Sequence, residues 1–571
     1  MLISEKLVLY QVLPRLFGNL NTVQKFAGTI HENGVGKLNH FTEKALSEIN
    51  NLGITHIWYT GILQHATCTD YSKYGIFPDL PEIVKGRAGS PYAVKDYYDI
   101  DPDLADNVEE RMLEFDGLVQ RTHQVGLKVL IDFVPNHVAR TYYSDNKPKG
   151  VVDFGDGDDT TGAFSNQNNF YYLRERFSIP EGVRPFGENV TVHTFQYKEN
   201  PAKATGNDCF SAQPSVHDWY ETVKLNYGVD YQNARTSCFD PIPDTWTKMR
   251  DILSFWTRKE IDGFRCDMAE MVPVAFWNWV IPQIRALNPE ILFIAEIYNP
   301  AQYRNYIFEG KFDYLYDKVG LYDTLRSIIT TGQSTHNITA CWQQTEGIAN
   351  HMLCFMENHD EQRFASRFFA GDARKAFPAM LVSAAFRGGP VMLYAGQEVG
   401  ETAEGATGFS GDDGRTSIFD YTTMPEFQKW VNDYKFDGAK LSVEQKKLRE
   451  KYRRLLQAAK LSESISHGAF YDLMWANDAQ DQVDIHRIYL FLRYTDDEKI
   501  LCIAYFGDVN AVLKLQIPEH AYTAMKMNIN DAGFAENVLC DSDKIKINKG
   551  CAEISLTPYD YKMYKLKSFL C

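Results

Sequence analysis

The chain has 571 residues, 44% hydrophobic and 23% charged, a balance that fits a globular protein and excludes a disordered one. At roughly 100–200 residues per domain, the length allows about three domains, or one large domain with appendages. Lys and Arg total 59 against 75 Asp and Glu, and the net charge of −16 argues against nucleic acid or an anionic membrane surface as a partner.

The first stretch, MLISEKLVLYQVLPRLFGN, has no basic leader and no small-residue cleavage site, and no run of 18 apolar residues follows anywhere. The expectation is a cytoplasmic protein with no membrane span. The ten cysteines show no CxxC spacing, which supports neither a zinc site nor a disulfide framework. Short apolar runs at 8–17, 54–59, 128–134, 263–267, 291–295, 312–316, 352–356 and 391–395 read as strands. Helical patterns lie between them at 42–52, 108–124, 246–259, 274–287 and 319–329. Thr42 opens the first and Gly53 stops it. In the second, Met112, Phe115, Leu118, Val119 and Thr122 recur close to a helical period before Gly126. Eight strands alternating with helices predict a parallel α/β sheet, doubly wound or closed, and eight is the number that closes a (β/α)8 barrel.

The rhythm breaks twice. Between His137 and Gly263 lies far more chain than one helix and two loops require, rich in Gly, Asp, Asn, Pro and aromatics, which predicts an inserted subdomain after strand 3. After the basic helix at 445–460, alternation of period two takes over from about 464, as in IYLFLRY and KILCIAYF, and predicts a C-terminal antiparallel β domain.

Reactive groups of a (β/α)8 barrel sit where its strands end. Strand 3 ends VLIDFVPNH, with Asp132, Asn136 and His137; strand 4 ends GFRCD, with Arg265 and Asp267; strand 5 ends FIAE, with Glu296; strand 7 ends MENHD, with His359 and Asp360. One acid at a strand end is ordinary, but several together with an Arg and two His form a constellation. Breaking an acetal needs a proton for the leaving oxygen and electron density for an oxocarbenium-like centre. Asp267 suits the nucleophile, because Arg265 two residues earlier projects to the same side of the strand and favours its ionised form. Glu296, in an apolar context, suits the general acid. Asp360, His137 and His359 can bind hydroxyls.

These segments resemble the α-amylase family of glycoside hydrolases (family 13). DFVPNH, GFRCDMAEMV, IAEIYNP and ENHD look like its four conserved segments in order, LYQVLPRLF like its first barrel strand, and KLNYGVDY like a short motif near the end of its inserted domain. The resemblance implies a TIM barrel over 1–137 and 245–462, an inserted domain B over 138–244, and a C-terminal β-sandwich over 463–571. It implies Asp267 as nucleophile, Glu296 as acid/base, Asp360 as transition-state stabiliser, Arg265 as the residue that orients Asp267, and His137 and His359 on the reacting glucose. Tyr92 in SPYAVKDY takes the place of a Tyr that stacks under that sugar.

The match departs after the nucleophile. Where many α-amylases carry Lys-His, this chain has Glu270-Met271, closer to neopullulanase-like and glucan-transferring members. The resemblance also places calcium near Asn136, and Asp153, Asp156, Asp158 and Asp159 offer further oxygen ligands; no organic cofactor is implied. The loop GFSGDDGRTSIFDY resembles a family segment that borders the sugar cleft, which implies Asp412, Asp413 and Arg415 as residues able to meet substrate. The expected activity is retaining hydrolysis of α-glucosidic bonds in maltodextrin-like chains. Glucan transfer by the same intermediate, and noncatalytic carbohydrate binding, are the alternatives. Linkage preference and oligomeric state are not expressed in these motifs.

Overall fold

The computed structural model describes residues 5–184, 186, 196–530 and 533–568. Eight parallel strands close into a barrel: β1 (Val8–Val12), β2 (His56–Tyr59), β3 (Lys128–Phe133), β4 (Gly263–Cys266), β5 (Leu292–Ala295), β6 (Tyr314–Tyr316), β7 (Met352–Phe355) and β8 (Val391–Tyr394). Each is hydrogen-bonded to the next in chain order, and β1 returns to β8 with Val8 opposite Val391. The closed alternative therefore holds and the doubly wound one does not.

Period-two alternation decides what faces the barrel axis. Leu9, Trp58, Leu130, Ile294, Tyr316, Leu353, Phe355 and Met392 form one buried cluster drawn from seven strands. In β4 the residue level with Leu130 is Gly263, where a Cβ would stand 2.8 Å from the Leu292 carbonyl oxygen. Two residues on, the same face presents Arg265, opposite Asp132 of β3, and two further on Asp267. The ladder runs one step beyond the strands: the Asp267 N–H donates to the Phe133 carbonyl at 2.8 Å, and the Glu296 N–H to the Cys266 carbonyl at 3.1 Å.

The helix Glu43–Asn50 starts where Thr42 Oγ1 accepts the Ala45 N–H, as the capping signal predicts. The helix Ala376–Ala385, buried along its whole length, has no counterpart in the sequence reading. Neither has the antiparallel ladder of Leu63–His65 with Val94–Ile100. Beyond the helix Val443–Leu461, a six-stranded antiparallel sheet and a two-stranded one fit an additional β domain. Among the described residues, no helix is long and apolar enough to cross a membrane.

The inserted segment leaves the barrel along His137–Ala139 and returns along Thr222–Lys224, the two paired antiparallel with His137 opposite Lys224. One buried ammonium ties this joint. Lys224 Nζ donates to Asn136 Oδ1 at 2.7 Å, pairs with Asp208 at 2.5 Å and lies 5.4 Å from the Tyr231 ring centre. Asn136 Nδ2 donates to the Gly206 carbonyl at 2.7 Å.

These residues do not fit the calcium ion that the resemblance implies. The carboxamide oxygen that would ligate it already accepts from an ammonium, and a divalent ion sharing that oxygen would be repelled by the Lys224 charge. The acidic loop is no better placed. Asp158 accepts the Asn169 and Phe170 N–H groups and the Tyr172 hydroxyl, Asp159 accepts from Thr161, and Asp153 pairs with Lys147. Among the described residues, no three His, Cys, Asp or Glu side chains gather in a way that could hold a metal.

If Lys224 supplies the positive charge of the joint, dialysis against EDTA leaves the melting temperature and any glucan-cleaving activity unchanged. Lys224→Met, by contrast, lowers unfolding free energy by about 1.5–3 kcal/mol, the worth of hydrogen bonds to a charged group, in urea titrations. A chelator-induced drop in melting temperature is the contrary outcome.

Candidate active site

The C-terminal ends of the barrel strands surround a cavity of about 320 Å³ lined by Tyr92, His137, Asp267, Glu296, Tyr298 and Asp360, among others. Three carboxyl groups, carried on the ends of β4, β5 and β7, thus share one opening.

Arg265 organises two of them, Asp267 and Glu296, together with Asp132. Its Nη1 donates to Asp267 Oδ1 at 2.7 Å, its Nη2 lies 2.9 Å from Glu296 Oε2, and Asp132 Oδ1 is 3.6 Å from Nη1. Its Nε donates to the Tyr316 hydroxyl at 3.1 Å. The guanidinium carbon sits 5.1, 5.5 and 5.4 Å from the ring centres of Trp58, Tyr92 and Tyr316. With a side chain 1% exposed, this is a cation held by aromatic faces and balanced by acids, the condition under which a buried charge is tolerated.

The strand ends explain how each acid is aimed. After Asp267 the chain turns through Met268 in the left-handed region (φ 42°), a conformation that costs a non-glycine residue of order 1–3 kcal/mol. The Met268 N–H donates to Glu296 Oε2 at 2.8 Å, and the Tyr298 hydroxyl donates to Glu296 Oε1 at 2.6 Å. After β7, each residue of ENHD has a separate task. Glu357 pairs with Arg363 at 3.0 Å, and Asn358 Oδ1 accepts the Asp360 and Glu361 N–H groups, both at 2.9 Å. His359 stacks on Tyr92, with ring centres 5.2 Å apart, and its Nε2 lies 2.5 Å from the Tyr92 hydroxyl. The Gln11 carboxamide faces the other ring nitrogen at 2.7 Å, and Asp360 Oδ2 stands 3.1 Å from Nε2.

Burial raises the Asp267 carboxyl above its ordinary value, and the Arg265 charge pulls against that rise. Burial likewise raises Glu296, with Arg265 opposing and the Asp267 charge adding to the rise. Asp360 is raised by desolvation and then by the Glu296 charge. Asp132 is pushed up to about 7 by burial, again against Arg265. Burial, followed by the Lys224 charge, takes His137 down to about 3, so its imidazole is neutral near pH 7. Burial and then Arg265 depress His359 as well.

Asp267, Glu296, Asp360, Tyr92 and His137 therefore meet at the cavity wall. Arg265 and His359 do not line it: one holds the acids, the other supports Tyr92 and Asp360. Asn136 faces the joint with the inserted segment. Asp412 pairs with Arg367 and Asp413 with Arg415, so these loop residues do not reach the cavity; Ile418 and Phe419 of the same loop do. Glu270 accepts the Tyr298 and Asn299 N–H groups at 3.2 and 3.1 Å. Sequence reasoning passed over Tyr298, and over Trp219, whose ring centre lies 5.1 Å from that of His137. The Lys85–Glu221 pair at the cavity edge, 2.9 Å apart, was missed too. Trp219 and Glu221 sit in the inserted segment, where no periodicity marks them. Tyr298 stands two residues after Glu296, a spacing that could have drawn attention.

Comparison with known proteins gives a consistent assignment. The family model described as alpha amylase, catalytic domain, matches residues 11–458. The chain is 24% identical over 383 residues to the alpha-amylase MalA of Haloarcula japonica, covering 66% of this chain and 43% of that protein. It is also 24% identical over 352 residues to a cyclomaltodextrinase of Geobacillus thermopakistaniensis, covering 60% and 49%. The chain thus spans less than half the length of these two curated relatives. Among solved structures, an alpha-amylase from Geobacillus thermoleovorans, complexed with acarbose, superposes with a TM-score of 0.63 at 17% identity, covering 99% of both chains. The maltogenic alpha-amylase AmyB of Thermotoga neapolitana gives 0.58 at 19% identity, covering 98% of both. With a catalytic-domain match across most of its length and the closed barrel that match requires, the chain belongs to the α-amylase family.

Proposed function

We propose that this protein is a retaining α-glucan hydrolase acting on maltodextrin-like chains. The observation that carries the reading is the single guanidinium of Arg265, which touches Asp267 at 2.7 Å and Glu296 at 2.9 Å at the wall of one cavity. Two carboxylates tethered to one guanidinium suit the spacing of about 5–5.5 Å used by retaining enzymes, rather than the roughly 6.5–9.5 Å that leaves room for an inverting water.

In this reading Asp267 attacks the glucosyl C1 while Glu296 delivers its proton to the departing glycosidic oxygen. Glu296, now a carboxylate, then takes the proton of an incoming hydroxyl as that oxygen displaces Asp267. Arg265 favours the ionised nucleophile. Asp360 accepts hydrogen bonds from ring hydroxyls, Tyr92 offers its face to the sugar, and neutral His137 hydrogen-bonds a hydroxyl. His359 holds Tyr92 and Asp360 in place. The names of relatives point the same way: a cyclomaltodextrinase, a neopullulanase of Thermoactinomyces vulgaris and an intracellular maltogenic amylase of Bacillus subtilis. The described cysteines are all free thiols, which suits a reducing cytoplasm. A second reading, glucan transfer, is favoured by one relative, an alpha-1,4-glucan:maltose-1-phosphate maltosyltransferase of Cereibacter sphaeroides, 26% identical over 380 residues.

Incubation with maltotriose and maltoheptaose separates the readings: shorter products alone mean hydrolysis, longer ones mean transfer to sugar. Asp267→Asn is expected to lower kcat/KM by about 10⁴-fold or more with the fold intact. Full activity in that variant would falsify the assigned nucleophile, and no turnover of any α-glucan by the parent protein would leave a carbohydrate-binding role.

The rate should be bell-shaped in pH. Asp267 must be ionised, so kcat/KM falls as pH drops through its value; Glu296 must be protonated, so kcat/KM falls as pH rises through its value. Because burial raises both carboxyls, both limbs lie above the ordinary carboxylate range. A profile that declines already at pH 4–5 on the alkaline side contradicts this environment for Glu296.

A further inference from the structure

The two oxygens of Glu296 are held differently. Oε2 accepts the Met268 backbone N–H and pairs with the Arg265 charge 2.9 Å away, and neither group can accept a proton from it. Oε1 is held by the Tyr298 hydroxyl, which rotates and can accept as well as donate. This arrangement favours Oε1 over Oε2 as the seat of the acid proton. Tyr298 in turn is anchored by its backbone, since Glu270 Oε2 takes the N–H groups of Tyr298 and Asn299. The Glu270 carbonyl accepts the Tyr306 hydroxyl at 3.0 Å, so the anchor is itself braced.

From this we infer that Tyr298 is a positioning residue for the acid/base and that Glu270 sets its place, so that the residue departing from the Lys-His pattern acts on Glu296 through Tyr298. The inference rests on the proposed roles of Asp267 and Glu296. In glycosyl transfer to Asp267, the proton on Oε1 passes to the glycosidic oxygen as the C1–O bond breaks, and the Tyr298 O–H turns to donate to the new carboxylate. In the return step, the incoming hydroxyl gives its proton to Oε1 as its oxygen bonds to C1 and the Asp267 ester breaks. Tyr298 stabilises the base form at the moment it is required and surrenders Oε1 when the proton returns.

Other titratable groups face Glu296: Arg265 and Asp267 from β4, Asp360 from the end of β7, neutral His137 from the end of β3, and the Tyr316 phenol from β6. The hydrogen bond to Oε1 comes from Tyr298 and from none of these groups, so its removal has a distinct signature. Losing a donor to the carboxylate raises the pKa of the acid.

The test uses Tyr298→Phe and Glu270→Ala in the full chain, with pH profiles of kcat/KM on maltotriose and on α-maltosyl fluoride, whose leaving group needs no proton. Tyr298→Phe is expected to move the alkaline limb on maltotriose upward by about one pH unit, leaving the acid limb in place. On the fluoride, the rate of the first step should stay within about twofold of the parent. Glu270→Ala should shift the same limb in the same direction, by less. An unmoved alkaline limb in a Tyr298→Phe protein of parental melting temperature overturns the inference and leaves the proposed activity standing. Equal losses on both substrates also overturn it, since they mark a general structural defect. If the parent protein cleaves neither substrate, or Asp267→Asn remains fully active, the functional reading fails and the inference falls with it.

Discussion

A single buried cation is the condition for everything at the mouth of this barrel. Arg265 is enclosed by three aromatic rings and answers to Asp267, Glu296 and Asp132. Without its charge, three carboxyls in a water-poor space would all favour their protonated forms, and the anion that the proposed mechanism needs would be lost. Without the acids, an arginine at this depth would have no compensation. Cation and anions therefore have to be placed together, and strand register does that placing: Arg265 lies opposite Asp132 on one side and Ile294 on the other, two residues before Glu296. Gly263, level with Leu130, keeps the floor of β4 free of a side chain.

The same logic separates residues that reach the cavity from residues that hold them. Sequence motifs present Asp132, Asn136, His137, Arg265, His359 and Asp360 as one conserved-looking set, yet the structure divides their labour. Asn136 and Lys224 bind the inserted segment to the barrel; His359 supports Tyr92; Glu357 secures the loop after β7 through Arg363. What remains facing the opening is a small group of acids, one imidazole and tyrosines. The protein thus invests many buried polar contacts in keeping few side chains still, which is what pre-organised electrostatics requires.

Much of this was legible in the linear chain. The eight barrel strands are apolar runs buried on both faces, and such runs are visible without any partner. The acids are visible because each one ends such a run. Other features escaped for physical reasons. The helix Ala376–Ala385 is buried on every side, so it carries no amphipathic period to detect. The ladder strand Val94–Ile100 contains Lys95, Asp96 and Asp99, residue types that favour solvent; inside, Asp79 pairs with Lys95, Arg111 pairs with Asp99, and Ser144 and Asn146 donate to Asp96. The resemblance implies calcium at Asn136 because a motif records the ligand and not what stands opposite it, here Lys224, 88 positions away. Tyr298 went unremarked because the importance of a phenol depends on the atom it touches.

The overrun of the barrel ladder has a further meaning. The amides of Asp267 and Glu296 belong to the same hydrogen-bonded net as the strand cores. The backbone beneath the reacting atoms can come loose only when the barrel itself opens, whereas the loops that carry Trp219, Ile418 and Phe419 are outside that net. Loosening or exchange of such loops would reshape the cavity wall, while the cluster of acids stayed intact beneath it. On the proposed reading, the selection of ligand and the power to transform it are mechanically insulated, and each can drift without dragging the other along.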